Sequence, residues 1–194
     1  MRFKIFHFKN VESTNQTAAK LIKDKKAEKG FVYSDNQTNG KGTYGKKWIS
    51  LKGNLFGSIF FPLKYNYPTF NEFSIINAII ISEAIKQFCS NQDINLKFPN
   101  DIMLNKKKVC GILQETFDFK KKKFLIIGIG INTFDNPEIN SKYKATSIFK
   151  ETKNTPNIKE MISKISLYYE KFFINLSSYD YLYFKKKADL MALN

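Results

Sequence analysis

The chain predicts an α+β fold, a largely antiparallel sheet flanked by helices, and three observations lead there. Residues 96–132 read LKFPNDIMLNKKKVCGILQETFDFKKKKFLIIGIGIN, in which apolar runs at 97–104, 109–116 and 124–131 are separated by lysine-rich breaks at 105–108 and 118–123. Runs of about eight residues rich in Ile, Leu, Val and Phe, joined by short polar loops, are too short for typical helices and suit neighbouring antiparallel strands. Elsewhere apolar residues recur at helical spacing, after Ser13, from 69 to 88 and from 155 to 173. Finally, 194 residues with 43% hydrophobic content suffice for one globular domain with a substantial core.

Taken in order, residues 2–8 mix charged and apolar side chains as an edge strand does. The only histidine, His7, sits there with no cysteine or second histidine nearby and reads as a partly exposed strand residue. Glu12-Ser13-Thr14-Asn15-Gln16 precedes a helix with Ala18, Leu21 and Ile22 on one face. Ser13 with Gln16 fits a capping box, and Gly30 fits a C-terminal stop. Capping alone accounts for Ser-Thr-Asn; the sharper alternative is that amides and hydroxyls at this helix start hold a polar ligand group.

A short strand at 31–34 runs into a loop where Gly40, Gly42 and Gly45 alternate with Lys41, Lys46 and Lys47. Its backbone N–H and ammonium groups suit a phosphate, and the glycines make it flexible. The spacing is neither GxxxxGK[ST] nor a dinucleotide fingerprint. Trp48, the single tryptophan, follows as a core residue or as a platform for a purine.

Residues 54–61 form another strand, and Pro62 after it marks an edge or an exit. Thr69 with Glu72 is a second capping box, opening a helix that buries Phe73, Ile76, Ile79 and Ile80. After the central meander, 134–150 is polar and irregular. Thr155-Pro156 then opens a helix with threonine at the cap and proline in the first turn. Its Ile158, Met161, Ile162, Ile165, Tyr169, Phe172 and Phe173 make a core-facing stripe. A short helix over 179–191 ends the chain.

Within the meander, Lys97 and Asp101 bracket a Pro-Asn turn, Lys108 opens the second run, Gly111 interrupts it, and Gly128, Gly130 and Asn132 punctuate the third. Glycine weakens a strand interior, so three in adjacent strands point to a backbone or ligand coming close. The alternative is solvated strand-end lysines and packing compromises.

A formal charge of +15 attracts phosphate backbones. The lysines, however, are spread over the whole chain, and with abundant Asn, Ile, Phe and Tyr they look like a compositional bias. The charge still concentrates anionic substrates such as ATP. Cys89 and Cys110 lie in apolar runs without metal-ligand spacing and read as buried thiols of a reducing, cytoplasmic compartment. The start MRFKIFHFKN lacks the apolar segment of a signal peptide, and no run approaches the ~20 apolar residues of a membrane span.

Glu-Ser-Thr-Asn at 12–15, Gln37 with Gly-Lys-Gly-x-x-Gly-Lys-Lys-Trp at 40–48, Lys-Phe-Pro-Asn-Asp at 97–101, Lys-Val-Cys-Gly-Ile-Leu-Gln-Glu at 108–115 and Gly-Ile-Gly-Ile-Asn at 128–132 resemble the five landmarks of biotin protein ligases, in that family's order. The resemblance implies a mixed sheet flanked by helices, related to the class II aminoacyl-tRNA synthetase fold. It also implies a single catalytic domain over 1–194, without the helix-turn-helix or C-terminal SH3-like barrel of other members. Biotin and MgATP would give biotinyl-5'-AMP and pyrophosphate. A lysine of a biotin carboxyl carrier domain would then take the biotinyl group and release AMP.

Carried over by position, Ser13, Thr14, Asn15 and Gln37 would hold the biotin head group, with Gly40, Lys41, Gly42, Thr43, Lys108, Gly111 and Gly130 also on the biotin side. Lys46, Trp48, Lys97, Ile131 and Asn132 would bind ATP, Trp48 by stacking on adenine, and Mg²⁺ would arrive on the ATP phosphates. Lys108 would bridge the biotin carboxylate and the α-phosphate, two anions that need a cation between them. Lys97 and Lys46 would support the phosphates. An acceptor lysine of pKa ~10.4 must lose a proton, and Asp101 would orient or deprotonate it. The loop at 40–46 would close over the labile acyl-adenylate.

The family loop usually carries arginines, often one in the place of Thr43, and lysine cannot make arginine's planar bidentate contact with phosphate. The intermediate is therefore expected to be held less tightly here. Phe98 replaces the usual tryptophan and keeps an aromatic wall. A lipoate or octanoate ligase is the nearest rival reading, and a non-catalytic basic nucleic-acid-binding module a rival of another class. The Lys-Phe-Pro-Asn-Asp and Gly-Lys-Gly patterns favour biotin. Neither DNA nor membrane partners are expected, and an exposed sheet edge is a candidate for homodimer pairing.

Overall fold

The three apolar runs of the central stretch form four strands. Pro99 has no N–H to give a ladder, so the first run turns at 98–100 and folds back on itself as β4 (Ile94–Lys97) and β5 (Asp101–Leu104), with Lys97 paired to Asp101. The second and third runs are β6 (Lys107–Phe119) and β7 (Lys122–Ile131). The break at 118–123 closes in a two-residue turn. Lys120 and Lys121 adopt φ of 47° and 60°, as Asn105 and Lys106 do at 50° and 63°. Such left-handed pairs match the twist of flanking strands, so pairing runs on to Phe119 and Lys122.

The computed structural model describes residues 2–138 and 144–193. Three further strands, β1 (Lys4–Val11), β2 (Gly30–Gln37) and β3 (Leu55–Pro62), complete a seven-stranded sheet in the order β1-β2-β3-β7-β6-β5-β4. Among the seven described strands only β1 and β2 pair in parallel. A parallel pair needs a crossover, and α1 (Thr14–Lys25) supplies it. Pro62 marks an exit, since β3 lies inside the sheet. At the far edge Leu193 N donates to Leu96 O at 2.9 Å, which leaves β1 as the open edge among the described strands.

Period-two alternation sends the two faces of each strand to different layers. On one face α2 (Phe70–Lys86), α4 (Ile158–Ile174) and α5 (Tyr181–Met191) enclose Ile59, Phe61, Leu125, Ile127 and Ile131. On the other, α1 sets Ala18, Leu21 and Ile22 against Val32, Phe60, Phe124 and Ile126. Burying each such large side chain contributes about 1.5–3 kcal/mol. The rest of that second face, over β6, β7 and β5, is left for a pocket. Among the described residues no helix is long and apolar enough to cross a membrane.

The helix ends refine the expectations. The α2 capping box is present, with Thr69 Oγ1 accepting from Glu72 N and Glu72 Oε2 from Thr69 N. Ser13 stands at the N-cap of α1 but makes no side-chain capping bond. Gln16 is drawn away from it: with its amide turned so that oxygen and nitrogen exchange places, Nε2 donates to Glu12 Oε2 at 3.1 Å and Oε1 accepts from Lys41 Nζ at 3.0 Å. Lys26, left-handed at φ 50°, ends α1, whereas Gly30 begins β2, where a Cβ would meet Phe6 at 2.6 Å. Asn157 rather than Thr155 caps α4, its Oδ1 accepting from Lys159 N and Glu160 N. The stretch expected to be irregular over 134–150 contains α3 (Ile148–Thr152) at its end, capped by Ser147; its residues 139–143 lie outside the described ones.

One buried polar chain ties the helical layer to the sheet. Tyr169 Oη donates to Asn77 Oδ1 at 2.8 Å, Asn77 Nδ2 to Gln114 Oε1 at 2.6 Å, and Gln114 Nε2 to Phe70 O at 2.6 Å. Asn77 and Tyr169 are both fully buried, and burial raises the Tyr169 phenol well above its ordinary pKa. Tyr169→Phe strands the Asn77 carbonyl oxygen, so urea unfolding should show about 1–3 kcal/mol lost. Unchanged stability would mean that water or a repacked neighbour satisfies Asn77.

Candidate active site

The pocket on the uncovered face has a volume of about 570 Å³. Its base is β7 and the residue that follows it, Gly128, Gly130 and Asn132 coming at two-residue spacing, about 6.6 Å per step. Something stands over each glycine. A Cβ on Gly128 would come within 2.7 Å of Asn15 Oδ1, and one on Gly130 would overlap the Trp48 ring. Gly111, beside Gly130 on β6, would meet Trp48 at 2.7 Å. The expected close approach at these glycines is thus met by side chains of the protein's own.

At the start of α1 the groups are polar and uncharged. Thr14 donates through its N and Oγ1 to Gln37 Oε1, at 2.9 and 3.2 Å. The Ser58 hydroxyl donates to Asn15 Oδ1 at 2.6 Å and lies 2.7 Å from Thr14 Oγ1. Asn15 Nδ2 donates to Glu115 Oε2 at 2.6 Å. Ser13, Thr14 and Asn15 are each under 5% exposed. Capping by the Ser13 side chain, which would have explained the motif, does not occur, so its hydroxyl is left to the pocket.

Lys108 reaches the pocket because the β5–β6 ladder is irregular. Ile102 pairs with Cys110 but Met103 with Lys108, so Val109 is an extra residue. A β-bulge of this kind re-aims side chains. Val109 and Cys110 both enter the apolar core, and Lys108 and Gly111 both line the pocket. Lys108 Nζ then sits 2.7 Å from Asp101 Oδ1 and 5.7 Å from the Trp48 ring centre, within cation–π range. Burial raises the Cys110 thiol far above its ordinary pKa, and Lys108 only partly offsets this.

At the far end Asn132 is 2% exposed. Its Nδ2 donates to Thr146 O at 3.0 Å, while its Oδ1 and the Trp48 Nε1 are buried without a protein partner. The 40–47 loop is a closed turn rather than a slack one: Trp48 N donates to Gly40 O at 2.9 Å and Gly42 N to Lys46 O at 2.7 Å. Asn100 Nδ2 lies 3.5 Å from Thr43 Oγ1. Lys41, Lys46, Lys47, Lys97 and Lys108 line the pocket against the one carboxylate of Asp101. The pocket therefore offers neutral hydrogen-bonding groups at one end, cations in the middle and a flat aromatic surface at the other.

All but two of the expected site residues gather here. Ile131 does not, because alternation turns it into the core behind the sheet. Gly40 does not line the pocket either; it is needed for space, a Cβ there meeting Trp48 O at 2.7 Å. The sequence reading missed Ser58, Asn100 and the role of Glu115. Ser58 left a signal, since it is the one polar side chain in the apolar run Leu55-Phe-Gly-Ser-Ile-Phe-Phe61.

A sequence model of the biotin/lipoate A/B protein ligase family matches residues 7–132. The chain belongs to this family. Over 129 residues it is 31% identical to the bifunctional ligase/repressor BirA of Bacillus subtilis, covering 66% of this chain and 39% of that protein. It is 28% identical over 129 residues to the biotin–[acetyl-CoA-carboxylase] ligase of Paracoccus denitrificans, covering 66% and 53%. The chain thus spans about two-fifths to half of these relatives. Among solved structures, the biotin protein ligase of Aquifex aeolicus in complex with biotin and ATP superposes with a TM-score of 0.82 at 27% identity, covering 98% of this chain and 78% of that one. The Leishmania major biotin protein ligase with biotin shares the fold, with a TM-score of 0.84 at 21% identity over 98% and 82%.

In this family member the single tryptophan reports on the pocket directly. Gly130→Ala should push the indole off the sheet and shift its fluorescence emission to longer wavelength; emission identical to the parent would show that Trp48 does not rest on β7.

Proposed function

We propose that the protein attaches biotin to a lysine of a biotin carboxyl carrier domain through biotinyl-5'-AMP, using ATP. The observation that carries this is the Lys108–Asp101 pair at 2.7 Å, set between the Thr14–Asn15–Gln37 group and the Trp48–Asn132 end. It is supported by 27% identity to a ligase of the same fold in complex with biotin and ATP.

In the first step a biotin carboxylate oxygen bonds to the α-phosphorus of ATP and the bond to the β-phosphate oxygen breaks, releasing pyrophosphate. Lys108, already oriented by Asp101, is shared with both anions as they meet and stabilises the charge that builds on the phosphate. Thr14, Asn15 and Gln37, braced by Ser58, take the polar head group. Trp48 stacks on adenine, and the free Asn132 Oδ1 accepts a hydrogen bond at the nucleotide end. Lys46 and Lys97 face the phosphates. Among the described residues no group of three or more His, Cys, Asp or Glu could hold a metal, and the one carboxylate lining the pocket already holds Lys108. Mg²⁺ carried on the ATP triphosphate would screen the charge of the leaving pyrophosphate.

In the second step the acceptor amine bonds to the biotinyl carbonyl carbon, AMP leaves, and Asp101 takes up or steers the proton. The loop keeps water from the adenylate meanwhile. The unpaired outer edge of β1 is the place for homodimer contact. Cys89, whose thiol burial pushes up to about 12, and Cys110 suit a reducing cytoplasm.

Incubation with MgATP and biotin should release pyrophosphate and yield biotinyl-5'-AMP by mass spectrometry, with lipoate in place of biotin giving far less. Lys108→Ala should slow this by about 10²-fold or more, as removing one transition-state donor does. Faster turnover with lipoate, or full activity of the alanine variant, would overturn the reading. Thr43→Arg should slow escape of the adenylate in a filter or dialysis assay, because a bidentate donor replaces a hydroxyl; release as fast as the parent's would count against this.

A further inference from the structure

Behind Lys108 stands a carboxylate that the reaction does not touch. Glu151 of α3 keeps its side chain only 11% exposed and accepts from three directions: Lys107 Nζ at 2.9 Å, Asn105 Nδ2 at 2.8 Å and Thr146 Oγ1 at 2.5 Å. Two of these donors belong to the β5–β6 hairpin and the third to the segment entering α3. Burial alone would raise its pKa, but the bonds from Lys107, Thr146 and Asn105 outweigh that and hold the carboxyl below its ordinary value. Glu151 is therefore an anion at neutral pH.

The segment it fastens, 144–146, has an unusual job. Lys108 is paired with Met103 of β5, but its main-chain N–H and C=O are taken up elsewhere. Lys108 N donates to Lys144 O, and Lys108 O accepts from Thr146 N, both at 2.9 Å. The next group along, Thr146 O, accepts from Asn132 Nδ2 at 3.0 Å. One three-residue strip thus holds the main chain of the central cation and fixes the amide of the residue at the far end of the pocket, where Ala145 lines the wall.

We infer that Glu151 is a positioning residue for adenylation: by clamping Thr146 to the Asn105–Lys107 turn it sets both Lys108 and Asn132, without contacting any substrate. The inference rests on the ligase reading above for its kinetic consequence but not for its geometry. The head-group end, built from α1, β2 and β3, shares none of these bonds. Loss of Glu151 therefore acts on one half of the pocket.

The test uses the full chain with Glu151→Gln, which keeps the size and removes the charge. Adenylation should slow and the KM for ATP should rise, together by about tenfold or more, as small misplacements of catalytic groups do, with the KM for biotin within about twofold of the parent's. Amide hydrogen exchange at Lys108 and Thr146 should accelerate while exchange at Thr14 and the β2–β3 ladder stays put. Asn105→Asp in the same chain returns a carboxylate opposite the new amide and should recover part of the loss. Equal rises in both KM values would mean general loosening and overturn the inference, as would unaltered exchange at Lys108 and Thr146. A parent protein that makes no biotinyl-5'-AMP would sink the ligase reading alone, and the exchange measurement would still decide the role of Glu151. Should the Gln variant fail to fold, Thr146→Val removes one of the three donors and is expected to give the same one-sided pattern at smaller size; a two-sided or absent effect there overturns the inference equally.

Discussion

Between Ile102 and Met103 the ladder of β5 against β6 takes in an extra residue, Val109, and that offset decides which face Lys108 occupies. With strict alternation Lys108 and Gly111, three apart, would point to opposite sides of the sheet. One of the two features would then be lost, either the cation in the pocket or the clear space under Trp48. The bulge lets Val109 and Cys110 both drop into the core and returns the strand to the pocket face on each side of them. Lys108 stays in register with Met103 of β5, and residues from beyond β7 take up its main-chain N–H and C=O. Asp101, paired with Gly111 across the ladder, is brought within reach of the ammonium by the same shift.

Much of the architecture was legible because its causes are local. The apolar stripes of α2 and α4, the Thr69–Glu72 box and the meander all follow from spacing and from side chains within a few residues of one another. Where the reading slipped, a longer-range partner or a backbone angle was responsible. Gln16 was taken for a capping partner of Ser13, but Lys41, distant in sequence, competes for its amide. The left-handed turn at Lys120 and Lys121 left no signal, because lysine is not a residue one assigns to such a turn. Asn157 displaced Thr155 at the start of α4, since a carboxamide oxygen two residues on reaches two N–H groups at once. The pocket residues were legible mainly through the order of the five motifs, and Ile131 was swept in by its position inside one of them although its side chain faces the other layer.

The charge of the pocket also has a structural logic. Five lysines around one carboxylate make a site that attracts a polyanion before any particular contact is made. Lysine, unlike arginine, delivers that charge as a mobile point rather than a planar fork. In the same loop Thr43 sets a hydroxyl toward Asn100. Among the pocket lysines, Lys108 is held by the Asp101 carboxylate at 2.7 Å, which gives its ammonium a fixed position.

The chain spends its nine glycines in an unexpected way. Only Gly45 and Gly53 of the glycines adopt positive φ, while among the described residues eight with side chains, including Lys26, Asn91 and both members of two hairpin tips, occupy left-handed backbone. Each such residue carries a penalty of roughly 1 kcal/mol that glycine would avoid. Gly111, Gly128 and Gly130 keep the strands flat where an indole and an amide lie close to them, and much of the bending is delegated to bulkier residues. The molecule's thermal robustness and its catalytic geometry are therefore set by separate positions, and the rim is free to drift toward sturdier turns over evolution while the floor of the cleft is not.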